Sequence, residues 1–375
     1  MNTSIPSDPH NHASGKPNKY IVLVILIVSL AGLFYSFSKP VGKDVVGGIV
    51  SDVLSERDTT LDIGNKSKIV REQDLLVEIE VEKNERREIK VLNDYKPVAR
   101  GDKIFVRGSL FGDSEWSIVD ISRTKILIML SIFFIILVIL TSGSKGFYSL
   151  VGLLFSFAVI FAFMVPQILN GAGPIGVGVG SAALILVPAL YLSYGLNKKS
   201  IAAFLGIIIA LLFVGVASNY FIGALKFSGL GEISMFLDME TSNSINLIGL
   251  IIAGIIIAAV GVLDDVAAIQ SSVVFSLASA NPNLRGLKLF REAMHVGRDH
   301  ISAVVNTLVL AYTGASLPLI LLLSLRGMPV DYFVSIEMVA EEIARTLISS
   351  SGLLLAVPLT TVIAVFMVSR NYQKI

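Results

Sequence analysis

The chain has 375 residues, 54% of them hydrophobic and only 16% charged, and contains no cysteine. A mean hydropathy of +0.76 is too high for a surface that faces water throughout, and the missing thiols exclude disulfide scaffolds, cysteine-held metals and cysteine nucleophiles. A net charge of +1 gives no footprint for nucleic acid, and four His, at 10, 12, 295 and 300, are too few and scattered for a metal site.

Residues 1–19 read as a cytoplasmic tail, followed by an apolar run over 20–37. Ser36-Phe37-Ser38 resembles the small-residue site at which signal peptides are cut, but the run is longer than most signal cores, which favours an uncleaved transmembrane anchor. Between Ser38 and Arg123 the pattern changes. That stretch holds 15 of the 30 Lys and Arg and 17 of the 29 Asp and Glu, a soluble island inside an apolar chain. Val45–Val50, Leu75–Val81, Lys103–Arg107 and Trp116–Val119 alternate or run apolar between Gly, Asp and Asn, the pattern of short strands. Four to six strands over about 80 residues suit a small OB-like barrel. Pro97–Asp102 reads as a turn feeding a strand. Acids and bases interleave without a basic face, so the island suits structural or partner-docking work.

A spanning helix takes about 20 mostly apolar residues. Besides Tyr20–Phe37, the runs Ile126–Thr141, Phe147–Ile168, Gly176–Leu196, Ile201–Ile222, Ile245–Val274, Ala303–Leu325 and Leu347–Ser369 qualify, about eight spans in all. Gly171-Ala172-Gly173-Pro174 and the glycines 176, 178 and 180 lack the strand–loop–helix context of a nucleotide site and read as a loop and a helix start. With the amino terminus inside, Lys16, Lys19, Lys145, Lys198, Lys199, Arg285, Lys288, Arg291, Arg298, Arg370 and Lys374 are cytoplasmic, whereas the short outside loops hold only Lys226, Arg326 and Arg345. Both termini are therefore expected inside and the island outside. The expected fold is mainly α: a polytopic membrane helix bundle over 20–37 and 124–375 with a small inserted all-β extracytoplasmic domain over 38–123.

Asp264 and Asp265, in Gly261-Val262-Leu263-Asp264-Asp265-Val266, interrupt about 30 apolar residues. An ionised Asp in hydrocarbon costs several kcal/mol, so such residues face a bundle interior or water and mark a pathway. Two side by side cannot easily both be charged, which suits a site that binds and releases a proton. The plainer alternative puts the pair at a cytoplasmic helix end. Ser272 and Ser276 follow on the side of Asp265. Residues 284–300 form an amphipathic pattern, with Leu284, Leu287, Leu289, Phe290, Ala293 and Met294 on one side, expected to lie at the cytoplasmic membrane surface. Its polar side bears Arg291, His295, Arg298, Asp299 and His300. These residues either meet lipid head groups or exchange protons with the Asp pair. Asn306 and Thr313, and Ser349–Gly352, suit close helix packing or a polar path.

The order of anchor, island and bundle, the segment 261–266, and His295-Val296-Gly297-Arg298-Asp299-His300-Ile301-Ser302 resemble the YibE/F family of bacterial membrane proteins, and the island makes the chain look like the longer, YibE-like member. The resemblance implies a cell-membrane protein but little about activity, since the family is chiefly described as of unknown function. A looser similarity, through Asn246-Leu247, Asp264-Asp265, Glu292-Ala293 and Leu317-Pro318-Leu319, is to the proton-relay half of resistance–nodulation–division transporters and SecD/SecF translocase auxiliaries. The island is smaller than the porter domains of those transporters. No Lys lies within a span to pair with the Asp residues, so Arg298 or a second subunit would have to serve.

The expectation is a transport protein or translocation accessory, coupled to the proton-motive force through Asp264 and Asp265. It would act in the lipid bilayer as a homodimer or with a shorter YibF-like partner, without cofactor, resident metal or nucleic acid. The candidate relay residues are Asp264, Asp265, Arg291, His295, Arg298, Asp299, His300 and Asn306. A non-catalytic scaffold docking a partner through the island is the alternative. A magnesium-dependent polyprenyl-phosphate transferase is a third reading, because Gly-x-Leu-Asp-Asp resembles its first acidic motif; Ala268 and Ile269 stand where its third acid belongs.

Overall fold

The computed structural model describes residues 17–37, 45–63, 66–82, 85–108, 116–229, 245–325 and 329–372. The expected tail lies outside them up to residue 16, as do Arg326 and Lys374. The chain divides into two compact units, Phe37–Thr141 and Met1–Ser36 with Ser142–Ile375.

In the first unit, strands β1 (Val45–Ile63), β2 (Lys66–Glu82), β3 (Glu85–Asn93), β4 (Lys103–Arg107) and β5 (Trp116–Ile121) close into one barrel in the order β1-β2-β3-β5-β4. Only the β3–β5 pairing is parallel. Alternation sends Val50, Leu75, Val77, Ile79, Val91, Ile104 and Val106 inward. Gln73 and Asn93 are buried among them, and both are satisfied. The Asn93 amide donates to Gln73 Oε1 at 2.9 Å and to Lys96 O at 2.7 Å, while Gln73 Nε2 donates to Glu56 at 2.6 Å and Val98 O at 3.1 Å. The expected turn at 97–102 is present: Gly101, at φ +91°, donates its N–H to Val50 O at 2.8 Å and so ties the turn to β1. Arg123 donates to Asp120 at 2.8 Å and holds that carboxyl below the usual carboxylate range.

The described helices are α1 (Lys19–Phe37), α2 (Thr124–Ala158), α3 (Val165–Leu169, after a π-helical turn over Val159–Met164), α4 (Pro174–Tyr194), α5 (Lys198–Ala224), α6 (Leu247–Ala280), α7 (Gly286–Ala315), α8 (Leu317–Ser324), α9 (Val330–Ser335) and α10 (Glu337–Tyr372). Asn197 caps α5 by accepting from Ser200 N at 3.0 Å, and Asn246 caps α6 by accepting from Gly249 N at 2.9 Å. Among the described residues six helical stretches are long and apolar enough to cross a membrane: Lys19–Phe37, Thr124–Leu169, Pro174–Tyr194, Lys198–Ala224, Leu247–Ala280 and Glu337–Ser369. The second is broken at Gly143 (φ 57°, ψ −135°), where the sequence divides two expected spans. The expected span Ala303–Leu325 is not among the six; α7 carries its first part and ends at Ala315, and α8 begins at Leu317.

Side-chain contacts fix how the second unit is assembled. Gly206 on α5 abuts Thr360, and Gly352 on α10 abuts Val214, so these helices run antiparallel with each missing Cβ occupied by its neighbour. Gly178 on α4 lies against Ala253 on α6, and Gly254 on α6 lies against Arg345 on α10. Helix α6 contacts α4, α5, α7 and α10, and it buries Ile252, Ile255, Ile256, Ala259, Leu263 and Ala267 among them.

Candidate functional site

Asp264 and Asp265 stand midway along the 34 residues of α6. Ser271 donates to Lys199 O at 2.8 Å, which sets the first turn of α5 opposite Ser271. Asp264 lies two helical turns further in, about 10 Å at 1.5 Å per residue. The pair is thus within the packed length of the helix rather than at its end. Asp264 is half-buried, and its Oδ1 is enclosed without a hydrogen-bond partner; Asp265 is exposed. Among the described residues no salt bridge joins either carboxylate to a base.

Two other titratable side chains face the pair. Tyr194, closing α4, is within electrostatic reach of both carboxylates, and His300 on α7 is within reach of Asp265. Asp265, Ile269, Ser272 and Ser276 recur at helical spacing along one side of α6. The last three line an open cleft of about 480 Å³ with Tyr194, Val273, Leu277 and Val296. The cleft is open and mostly apolar, with hydroxyls of Tyr194, Ser272 and Ser276 in its lining.

Helix α7 continues without a break through 300–303, where the sequence separates a surface helix over 284–300 from a span. Its Leu289, Ala293 and Gly297 are buried. Gln270 on α6 explains the continuity: its Nε2 donates to Ala293 O at 3.0 Å and to Thr361 Oγ1 on α10 at 2.8 Å. Gly297 lets Gln270 and Val357 come close where a Cβ would collide. One buried amide therefore pins three helices together. Of the expected partners, His300 comes within electrostatic reach of Asp265. Arg291, His295, Arg298, Asp299 and Asn306 are exposed on α7, and none forms a salt bridge with the Asp pair.

The sequence reading missed a second charged group. Arg345, assigned there to an outside loop, lies within α10. Its Nη2 donates to Glu341 at 2.6 Å, and its Nε is 3.4 Å from Glu342, inside ion-pair distance but outside hydrogen-bond geometry. Its Nη1 stands 3.0 Å from where a Cβ on Gly254 would lie, closer than an ordinary contact, so glycine is what lets it approach. Tyr312 on α7 is within electrostatic reach of Glu342 and Arg345. The acids three and four residues before an Arg, directly ahead of an apolar run, were the available signal. Among the described residues no three His, Asp or Glu side chains gather as a metal-binding group.

A family model described as YibE/F-like protein matches residues 130–370. No curated protein matches the chain, and no solved structure does.

Proposed function

This chain belongs to the YibE/F-like family, and from that premise we propose that it is a multi-pass protein of the bacterial cell membrane that transports a substrate, or assists its translocation, driven by the proton-motive force. The observation that carries the reading is Asp264. A carboxylate with an enclosed, unpartnered oxygen sits midway along an apolar helix, beside a second carboxylate and without a paired base. Retaining such a group in a bundle is costly unless its charge changes are used. Protonation removes the repulsion between Asp264 and Asp265 and lets α6 repack against α4, α5 and α7. The cleft beside Asp265, with Tyr194, Ser272 and Ser276, gives the proton or a substrate a way in. His300, within electrostatic reach of Asp265, is the base we assign as its partner.

In this reading the bundle makes eight crossings: α2 counts twice across its break at Gly143, and the end of α7 with α8 supplies one more. Both termini are cytoplasmic, and residues 38–123 lie outside. The bases support this. Asn18 N donates to the Tyr191 hydroxyl at 2.9 Å, and Ser271 meets Lys199, so Lys19, Lys198 and Lys199 gather at one end of the bundle. Two copies, or one copy with a shorter YibF-like protein, form the working unit.

Reconstitution into vesicles tests the reading. An imposed proton gradient drives flux through the wild-type protein, and Asp264→Asn with Asp265→Asn abolishes it. Undiminished proton-driven flux through the double variant defeats the proposal. A scaffold reading draws on the barrel being a compact unit with its own core; full complementation of a deletion strain by the double variant would favour it instead.

A further inference from the structure

Hydroxyls in membrane helices usually donate to the carbonyl four residues back. Ser156, Ser279, Thr307, Ser351 and Ser369 all do so here. Ser349 and Ser350 on α10 and Ser218 on α5 do not. Their hydroxyl oxygens are enclosed and have no partner, and the residues are only 3%, 6% and 0% exposed. A carbonyl four residues back was open to each of them, and none takes it. An unpaired buried hydroxyl is costly, and three at one level of the bundle call for a common partner. Ordered water is the usual one.

The register puts them together. Gly206 meets Thr360 and Val214 meets Gly352, so one further turn brings Ser218 level with Ser349. Ser350 is the adjacent residue on α10. One turn earlier on α10 stands Arg345 with Glu341 and Glu342, and the buried Thr346 lies between. Glu342, Thr346 and then Ser349 or its neighbour Ser350 thus follow one another at three- and four-residue spacing on the packed side of α10. Arg345 contacts Gly254, ten residues before Asp264 on α6 and about 15 Å along its axis. The charged group and the Asp pair therefore approach the bundle interior from opposite ends.

We infer that Glu342, Arg345, Thr346, Ser349, Ser350 and Ser218 line a water-holding seam that admits water into the bundle from the end opposite Lys199. Its use as the second proton route to Asp264 rests on the proton-coupled reading; its hydration does not. Alternating access requires a route from each side, and the cleft at Tyr194 serves only the Lys199 end.

The absence of cysteine makes the test direct. Ser218→Cys, Ser349→Cys and Ser350→Cys are compared with Ala210→Cys, Ala259→Cys and Leu263→Cys, apolar positions each 0% exposed. In membrane vesicles each variant is treated with a small water-borne methanethiosulfonate cation, which reacts with the thiolate that only hydration permits. The three serine positions should react about tenfold faster than the controls, and from the Glu342 side in sealed vesicles of defined orientation. Ser→Cys is nearly isosteric, and unchanged gel-filtration profiles establish folding. Rates equal to those of the controls overturn the seam, and labelling only from the Lys199 side overturns its direction. Reactive cysteines in a protein that carries no proton flux leave the seam standing and remove the transport reading.

Discussion

The barrel and the bundle handle polar groups in opposite ways. In the barrel, charge lies outside and the buried amides of Gln73 and Asn93 are fully hydrogen-bonded. In the bundle, the outside is apolar, while Asp264, Ser218, Ser349 and Ser350 are enclosed without partners. Charge in water is cheap and says little about purpose. The same groups inside a bundle persist only where they are hydrated, paired or titrated. The molecule's few costly polar groups are therefore more informative than its many exposed ones.

The largest expected effect tests whether the two regions are separate. Leu75 is fully buried in the barrel core, and Leu75→Ala should destabilise the barrel by about 2–5 kcal/mol. The chain's single Trp, Trp116, packs against that core, so its fluorescence follows barrel unfolding, while far-ultraviolet dichroism follows the helices. The fluorescence transition should move to lower denaturant and the helical transition should stay. Coincident shifts would break the comparison.

The same contrast explains what was legible in the sequence. The barrel's inner residues alternate, so Leu75–Val81 and Lys103–Arg107 stood out. The outer half of the β1–β2 hairpin, Ser55–Ile63 paired with Lys66–Asp74, did not. Ser55–Thr60 are exposed or half-buried and show no apolar alternation. The membrane helices announced themselves by length, and Asp264 by contrast with its surroundings. Helix α7 was cut in two because its first half is amphipathic and its second half apolar, a change of lipid contact rather than of backbone. Arg345 was lost because a search for uncharged runs begins after the last charge, at Leu347. Its contact with Gly254 depends on a partner helix more than 80 residues away, although Glu341 is on its own helix. Tyr194 had no sequence signal at all; only the packing of α4 beside α6 brings it to the carboxylates.

A smaller effect sharpens the contrast from within the bundle. Arg345 is about a quarter exposed at its side chain, and Glu341 about a fifth. Arg345→Leu leaves Glu341 and Glu342 without their base where their side chains are only partly exposed. Breaking a buried pair is strongly destabilising because one charge is left uncompensated; with partial exposure a loss of about 1–3 kcal/mol is expected. The helical transition should record it and Trp116 should not. An unchanged helical transition would mean that water already screens the group fully.

The smallest effect is expected from the corresponding pair on the barrel. Arg57 donates to Asp74 at 3.1 Å, with side chains 63% and 42% exposed. Ser55 also donates to the same carboxylate, so Asp74 keeps a partner when the guanidinium is removed. Exposed pairs of this kind contribute about 0–1 kcal/mol, and salt screens them. Arg57→Ala should therefore move the Trp116 transition by less than the scatter between core substitutions, with any shift vanishing in high salt. The two arginines make similar ion pairs at similar distances. If Arg57→Ala proves as damaging as Arg345→Leu, pairing itself would be the stabilising factor in both regions. The expected inequality assigns the difference to burial, the same property that makes Asp264 costly to keep.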